Sequence, residues 1–233
     1  MSKWNITSYP TLNAFFIRSI NHTINSDPLT IISPADGQLV EYGKIENSTL
    51  FQIKGSSYSL NELLRNDGLS EQFINGNYLN IHLRPFDYHR FHMPFSAQVL
   101  GYGHIKGTLF PVNQRARKYI SKLYTKNERL ITILETLHGK VLFIAIGALG
   151  VGTIKVRYTE NYQNMYHYFD NPLSFNKGNE LGHFELGSSI LLIFEKDMIR
   201  FDPRLPINME LFYGKKIGEI TSSQPGLRAS RRV

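Results

Sequence analysis

The chain of 233 residues contains no cysteine. That excludes a disulfide scaffold, a thiolate metal site and a cysteine nucleophile, so any covalent chemistry must use Ser, Thr, Lys or a carboxylate. Long hydrophobic runs are missing too. The longest, Ile190 to Phe194 and Val141 to Leu149 with Gly147 inside it, fall far short of the roughly 20 apolar residues a spanning helix needs. Nor is Met1-Ser2-Lys3-Trp4 followed by the apolar stretch of a signal peptide. No transmembrane segment and no signal peptide are expected, and a cytosolic setting follows. No internal repeat or linker divides the chain, and at this length a single domain over 1–233 is expected. Acidic residues are fewer than basic ones, 19 against 26, for a net charge of +7. Nucleic acid, an anionic membrane surface or a merely solvated basic face all suit that surplus. What is present is enough apolar material, 42% hydrophobic and 12% aromatic, to build a core. Intrinsic disorder is therefore excluded as the main state.

Between Tyr9 and Asn25, Leu12, Phe15, Phe16 and Ile20 recur at three-to-four spacing behind Thr11, an N-cap residue, which predicts a short amphipathic helix. From Leu29 onward short runs are punctuated by Gly, Pro, Asn and Asp. They predict strands at Leu29–Ser33, Gln38–Ile45, Leu50–Lys54, Asn77–Leu83, Ala97–His104, Leu130–Thr136, Lys140–Ala148, Gly152–Tyr158 and Ser188–Phe194. Helices are expected at Ser59–Asn66, where Ser59 and Glu62 have capping-box spacing, and at Asn113–Lys122. The tail from Thr221 to Val233 is expected to be loosely ordered.

Four segments could carry chemistry. Ser33-Pro34-Ala35-Asp36-Gly37 reads by itself as a turn. Leu83 to Pro94 packs His89, His92, Asp87, Tyr88 and two arginines between prolines. Imidazoles titrate near neutrality, so proton transfer is one reading. Metal chelation ranks below it, because the segment does not suit a helix and has no third ligand at a recognisable spacing. A structural role for these histidines stands equal beside function on this segment alone. Gly147-Ala148-Leu149-Gly150-Val151-Gly152 is glycine-rich, but a strand follows it where a dinucleotide fingerprint opens a helix, so a tight β turn is the better reading. Gly187-Ser188-Ser189 precedes a buried-looking run. It reads as a turn, or as a Ser hydroxyl placed to attack the unshielded carbonyl of the glycine before it.

Taken in order, these segments resemble the phosphatidylserine decarboxylase family over nearly the whole chain. Tyr9 to Arg18 is similar to its Phe-Phe-x-Arg segment; Ser33–Gly37, Asp87–Pro94, Leu109–Asn113, Asn127–Arg129, Gly147–Ile154 and Gly187–Ser189 are similar to its later signatures. The family pattern has Thr where this chain has Ser189, and many members carry a longer hydrophobic N-terminal segment. The resemblance implies an α+β, mainly β fold with a compact antiparallel sandwich or barrel-like core and a few short peripheral helices. It implies a carboxy-lyase that converts phosphatidylserine to phosphatidylethanolamine and CO2 through a Schiff base to a covalently bound pyruvoyl group derived from Ser188. Self-cleavage between Gly187 and Ser188 would give a β chain 1–187 and an α chain 188–233 that stay associated. Asp36 and His92 would activate Ser188, in the logic of a serine protease triad, and His89 would protonate the substrate carbon. No metal and no nucleic acid are implied, and a homo-oligomer is left open. The expected location is peripheral, on the cytoplasmic side of the cell membrane. There Phe15, Phe16 and Ile17 would make apolar contact, and Arg115, Arg117, Lys118, Lys122 and Lys126 would each add about 1 kcal/mol of attraction to anionic headgroups. The same residues read as core and as a solvated helix face remain an equal alternative. Two other functions stay open: a pyruvoyl enzyme acting on another amino-acid substrate, and a non-catalytic basic β-rich binding module.

Overall fold

Apolar runs bounded by turn residues pair into antiparallel ladders throughout the chain. The computed structural model describes residues 9–20, 23–46, 49–53, 56–149, 154–185 and 188–221. In chain order its first half holds α1 (Leu12–Phe16), β1 (Thr30–Ile32), β2 (Gly37–Lys44), β3 (Thr49–Ile53), β4 (Ser56–Ser59), α2 (Leu60–Leu64), α3 (Asp67–Glu71), β5 (Asn77–Leu83), β6 (Arg90–His92) and β7 (Ala97–Ile105). There follow α4 (Gln114–Tyr119), α5 (Leu123–Lys126), β8 (Arg129–Thr136), β9 (Gly139–Ile146), β10 (Ile154–Val156), β11 (Tyr166–Phe175), β12 (Glu180–Phe184), β13 (Ser188–Phe194), β14 (Ile199–Phe201), β15 (Glu210–Leu211) and β16 (Lys216–Ile220). Each of the nine expected strands has a counterpart, and the mainly β class is as the sequence implies.

The main sheet has the order β11-β7-β8-β9-β13-β5-β2-β15. Its ends do not join, so the architecture is sandwich-like and not a closed barrel. Smaller sheets pack on it. β10-β12-β6 meets it where the Phe91 ring lies 5.3 Å from Phe143. β1-β16-β14 meets it through Phe201, 4.9 Å from Tyr42 and 6.2 Å from Phe194. Strand β13 runs between β5 and β9 with all seven residues buried. Each fully buried Ile, Leu or Phe side chain there contributes about 2 kcal/mol.

Three local expectations are corrected. Helix α1 spans only Leu12–Phe16. Thr11 Oγ1 caps it by accepting the Ala14 amide at 3.1 Å. Beyond it, Arg18 reaches back to the Phe15 carbonyl at 2.9 Å, so that orphan acceptor is met without another helical turn. Ser59 stands at the N-cap of α2 but makes no side-chain cap bond, and Glu62 pairs with Lys122 across the surface. Finally, β11 is a ten-residue strand without a sequence counterpart. It is a mostly exposed edge strand whose register shifts between Tyr168 and Leu173, around Pro172, so it shows no apolar alternation.

Candidate active site

Segments far apart in sequence converge at one end of the main sheet. The turn before β2 forms as its Ser-Pro-Ala-Asp-Gly composition requires, with Ser33 Oγ donating to the Ala35 carbonyl at 2.7 Å. Gly37 is needed for close approach: a Cβ there would lie 2.7 Å from the His82 carbonyl oxygen. In the β2–β5–β13 ladder Gln38 faces His82, and His82 faces Ser189. Asp36 and Ser188 therefore come to the same sheet end, two strand spacings or about 10 Å apart.

Ser188 opens β13, is fully buried and stands opposite Leu83. Its Oγ has no hydrogen-bond partner among the described residues. Its carbonyl oxygen lies 3.2 Å from His82 Nδ1. A carbonyl only accepts, so Nδ1 carries the hydrogen. Burial lowers the His82 pKa to about 4, and the Arg117 charge acts in the same direction.

The segment before β6 is shaped by Arg84. Its backbone amide and Nε donate to Asp87 Oδ2 at 2.7 and 3.0 Å, and Nη2 donates to Oδ1 at 2.9 Å. The Asp87 carbonyl then accepts from His89 Nδ1 at 2.8 Å. His89 Nε2 is buried and has no partner among the described residues. Phe16 stands edge-on to the imidazole, with centroids 4.9 Å apart. Burial pushes the His89 pKa down to about 4, so at neutral pH the ring is uncharged and Nε2 holds a lone pair.

His92 has different partners. Nδ1 donates to the Gly178 carbonyl at 3.0 Å, and Nε2 lies 2.9 Å from the Tyr88 hydroxyl. Burial raises the Tyr88 pKa, so the phenol keeps its proton. The Tyr213 ring stacks on His92 with centroids 3.9 Å apart, while its backbone amide donates to Asp36 Oδ1 at 2.8 Å. Tyr213 thus joins Asp36 to His92. Arg18, 7% exposed, lies with its guanidinium 4.3 Å from the Phe15 ring centre and 6.0 Å from that of Tyr88, within the fields of Asp36 and Asp87. These segments hold the buried Ser188 hydroxyl, the imidazoles of His82, His89 and His92, and the Asp36 carboxylate. A model of the family described as phosphatidylserine decarboxylase matches residues 12–219.

The chain belongs to the phosphatidylserine decarboxylase family. Relatives named phosphatidylserine decarboxylase proenzyme include that of Coxiella burnetii, 33% identical over 227 residues, covering 93% of this chain and 80% of the relative. The Myxococcus xanthus protein is 34% identical over 221 residues, covering 91% and 79%. That of an Anaeromyxobacter species is 35% identical over 221 residues, covering 90% and 78%. Membership places the chain among carboxy-lyases made as proenzymes.

Asp36, His89, His92 and Ser188 all lie within the span matched by the family; Gly187 lies outside the described residues, as do Gly150 to Thr153. Three groups in contact with these residues were not singled out from sequence: His82, Tyr213 and the Gly178 carbonyl. A signal existed for His82. In Asn77–Leu83, Asn80 and His82 are polar at alternate positions of a strand with a buried pattern, and side chains at i and i+2 share a face.

Other family-like segments prove structural. Asn127 Nδ2 donates to the Phe110 and Gly147 carbonyls, both at 2.8 Å. Arg129 is fully buried and donates to the carbonyls of Leu63, Thr125, Asn127 and Glu62. The expected membrane contacts are corrected in part. Phe15 and Phe16 are buried against protein, and Arg117 is buried with Nη1 on the Val112 carbonyl. Arg115, Lys118, Lys122 and Lys126 are exposed. No helix among the described residues is long and apolar enough to cross a membrane.

Proposed function

We propose that this protein is a pyruvoyl-dependent enzyme that decarboxylates phosphatidylserine to phosphatidylethanolamine and CO2. The observation that carries the reading is Ser188 itself, a fully buried residue at the head of the central strand whose Oγ has no partner among the described residues. In this reading the chain over 1–233 is one domain that cleaves itself between Gly187 and Ser188. The products 1–187 and 188–233 remain together, because β13 is held on both sides by β5 and β9 of the other chain.

Maturation needs Ser188 Oγ to lose its proton as it attacks the Gly187 carbonyl. Asp36 and His92 are the proposed base system. His92 Nε2, which here lies 2.9 Å from the Tyr88 hydroxyl, would exchange that partner for Ser188 Oγ, while the Asp36 carboxylate, held by the Tyr213 amide, favours the imidazolium.

The site fits a pyruvoyl group built from Ser188. The residue is buried, its carbonyl is held by His82, and its hydroxyl has no hydrogen-bond partner among the described residues. Once formed, the group would supply an electrophilic carbonyl that takes up the electron pair released with CO2, which no side chain can do. His89 would manage protons. Its neutral Nε2 lone pair can take a proton from the substrate ammonium, leaving the amine free to react, and return that proton to the carbon from which CO2 departs. Phe16 keeps water off this imidazole. A diacyl substrate keeps its chains in a bilayer, so the site would work at an anionic membrane surface, with Arg115, Lys118 and Lys126 among the exposed attracting charges.

Incubation of the purified protein with vesicles containing phosphatidylserine, and separately with free serine, tests the reading. CO2 release from the lipid and not from serine is expected. No release from the lipid, or equal release from serine, contradicts it.

A further inference from the structure

We propose that His82 is a catalytic residue of maturation, whose Nδ1–H stabilises the negative charge that collects on the Ser188 carbonyl oxygen when the Ser188 Cα–H bond is broken. The inference rests on the self-cleavage reading above. The contact is set by the sheet: Ser188 faces Leu83 and Ser189 faces His82 in the β13–β5 register, and Nδ1 approaches the Ser188 carbonyl oxygen at 3.2 Å. A neutral imidazole has one N–H. In His82 it is committed to this oxygen, in a site where the side chain is 8% exposed.

The chemistry divides into three steps with different demands on that oxygen. In the first, Ser188 Oγ bonds to the Gly187 carbonyl carbon, the Gly187–Ser188 C–N bond breaks, and the hydroxyl proton passes through His92 to the freed Ser188 nitrogen. An amide has become an ester, and the Ser188 carbonyl has been a spectator. In the second, His92 takes the Ser188 Cα proton, the electron pair forms Cα=Cβ, the Cβ–Oγ bond breaks, and Gly187 leaves as a carboxylate. During this step charge is delocalised onto the Ser188 carbonyl oxygen. In the third, the enamine takes a proton at Cβ from His92, water adds to Cα, and the Cα–N bond breaks, so that the nitrogen departs as ammonium and a methyl ketone remains.

A donor already aimed at that oxygen acts selectively on the second step. In the ground state it makes an ordinary bond between neutral groups, at the long end of the usual range. As the oxygen becomes anionic the bond becomes charge-assisted and shortens, so its stabilisation is realised mainly in the transition state. Removing one preorganised donor of this kind typically slows a step by about 100-fold or more.

The test uses His82→Phe and His82→Asn in the full chain. Phe fills the buried space without a donor, and the Asn side-chain nitrogen can stand near the place of Nδ1. His82→Phe is expected to slow release of 188–233 by about 100-fold and to accumulate the ester, which hydroxylamine cleaves to the hydroxamate of 1–187. His82→Asn should recover most of the rate. Normal processing of His82→Phe, or accumulation of an uncleaved chain resistant to hydroxylamine, overturns the assignment. Nitrogen-15 NMR of the uncleaved Ser188→Ala chain reads the contact without any processing. A proton on His82 Nδ1 is expected, and the opposite tautomer overturns the proposal even if His82→Phe fails to fold. Absence of cleavage in the unmodified chain marks failure of the self-cleavage reading, an outcome distinct from these and equally fatal to the role of His82.

Discussion

The ring of Phe16 covers His89: it meets the imidazole edge-on, 4.9 Å between centroids at 75°, while the Phe16 carbonyl accepts the His89 amide at 3.3 Å. This cover contributes to the desolvation that holds the His89 pKa near 4 against the raising influence of Asp87. Phe16→Ala should therefore move the pKa back toward the ordinary value of about 6.5, by about one unit or more. An NMR titration of the His89 ring reads this directly, and an unchanged midpoint contradicts the role given to Phe16.

Stability should depend on pH in the window set by the two buried imidazoles. His82 and His89 titrate near 4 when folded and near about 6.5 when unfolded. Between these values the unfolded chain binds more protons, so stability is fully present above about 6.5 and is lost as pH falls toward 4. Each group should cost about 2 kcal/mol between pH 7 and 5. His183, also lowered by burial, adds in the same direction. Urea unfolding of the Ser188→Ala chain at the two pH values should show the loss, and His82→Phe should remove about its own share. A flat profile contradicts the burial of these rings.

Much of the fold is legible in sequence because burial leaves a pattern. The run Ile190–Phe194 after Gly187-Ser188 reads as a strand, and it is the fully buried centre of the main sheet. Legibility fails where tertiary partners replace local ones. Ser59 and Glu62 have capping-box spacing, yet Glu62 reaches Lys122, sixty positions away in sequence. The three-to-four spacing through Ile20 outlasts the helix because Arg18 satisfies the Phe15 carbonyl. The proposed site shows the same division. Asp36, His89, His92 and Ser188 stand in short segments with their own composition, whereas Tyr213 reaches Asp36 from 177 positions along the chain, a distance that no local pattern spans.

Arg129 should matter for folding, not chemistry. Four backbone carbonyls take its donors, and burial lowers its pKa to about 10. Arg129→Met leaves those carbonyls without their donors and should cost about 3 kcal/mol or more in urea unfolding. Arg129→Lys should recover little, since an ammonium cannot span the fork. Near-normal stability of either variant contradicts this account.

The proposed base system makes a graded prediction. Asp36→Asn keeps an oxygen for the Tyr213 amide but loses the charge, and His92→Asn loses the imidazole. Each should slow self-cleavage, by analogy with triad variants about 100-fold or more, while leaving the fold intact by circular dichroism. Processing at the normal rate in both removes the pair from the role.

The central claim is that Ser188 is spent in cutting its own chain. Intact mass spectrometry of the freshly purified protein tests it most directly. The account predicts two chains, 1–187 and 188–233, the second beginning in a pyruvoyl group, and a single uncut chain for Ser188→Ala. One intact species of 26.8 kDa from folded protein that decarboxylates phosphatidylserine would contradict it.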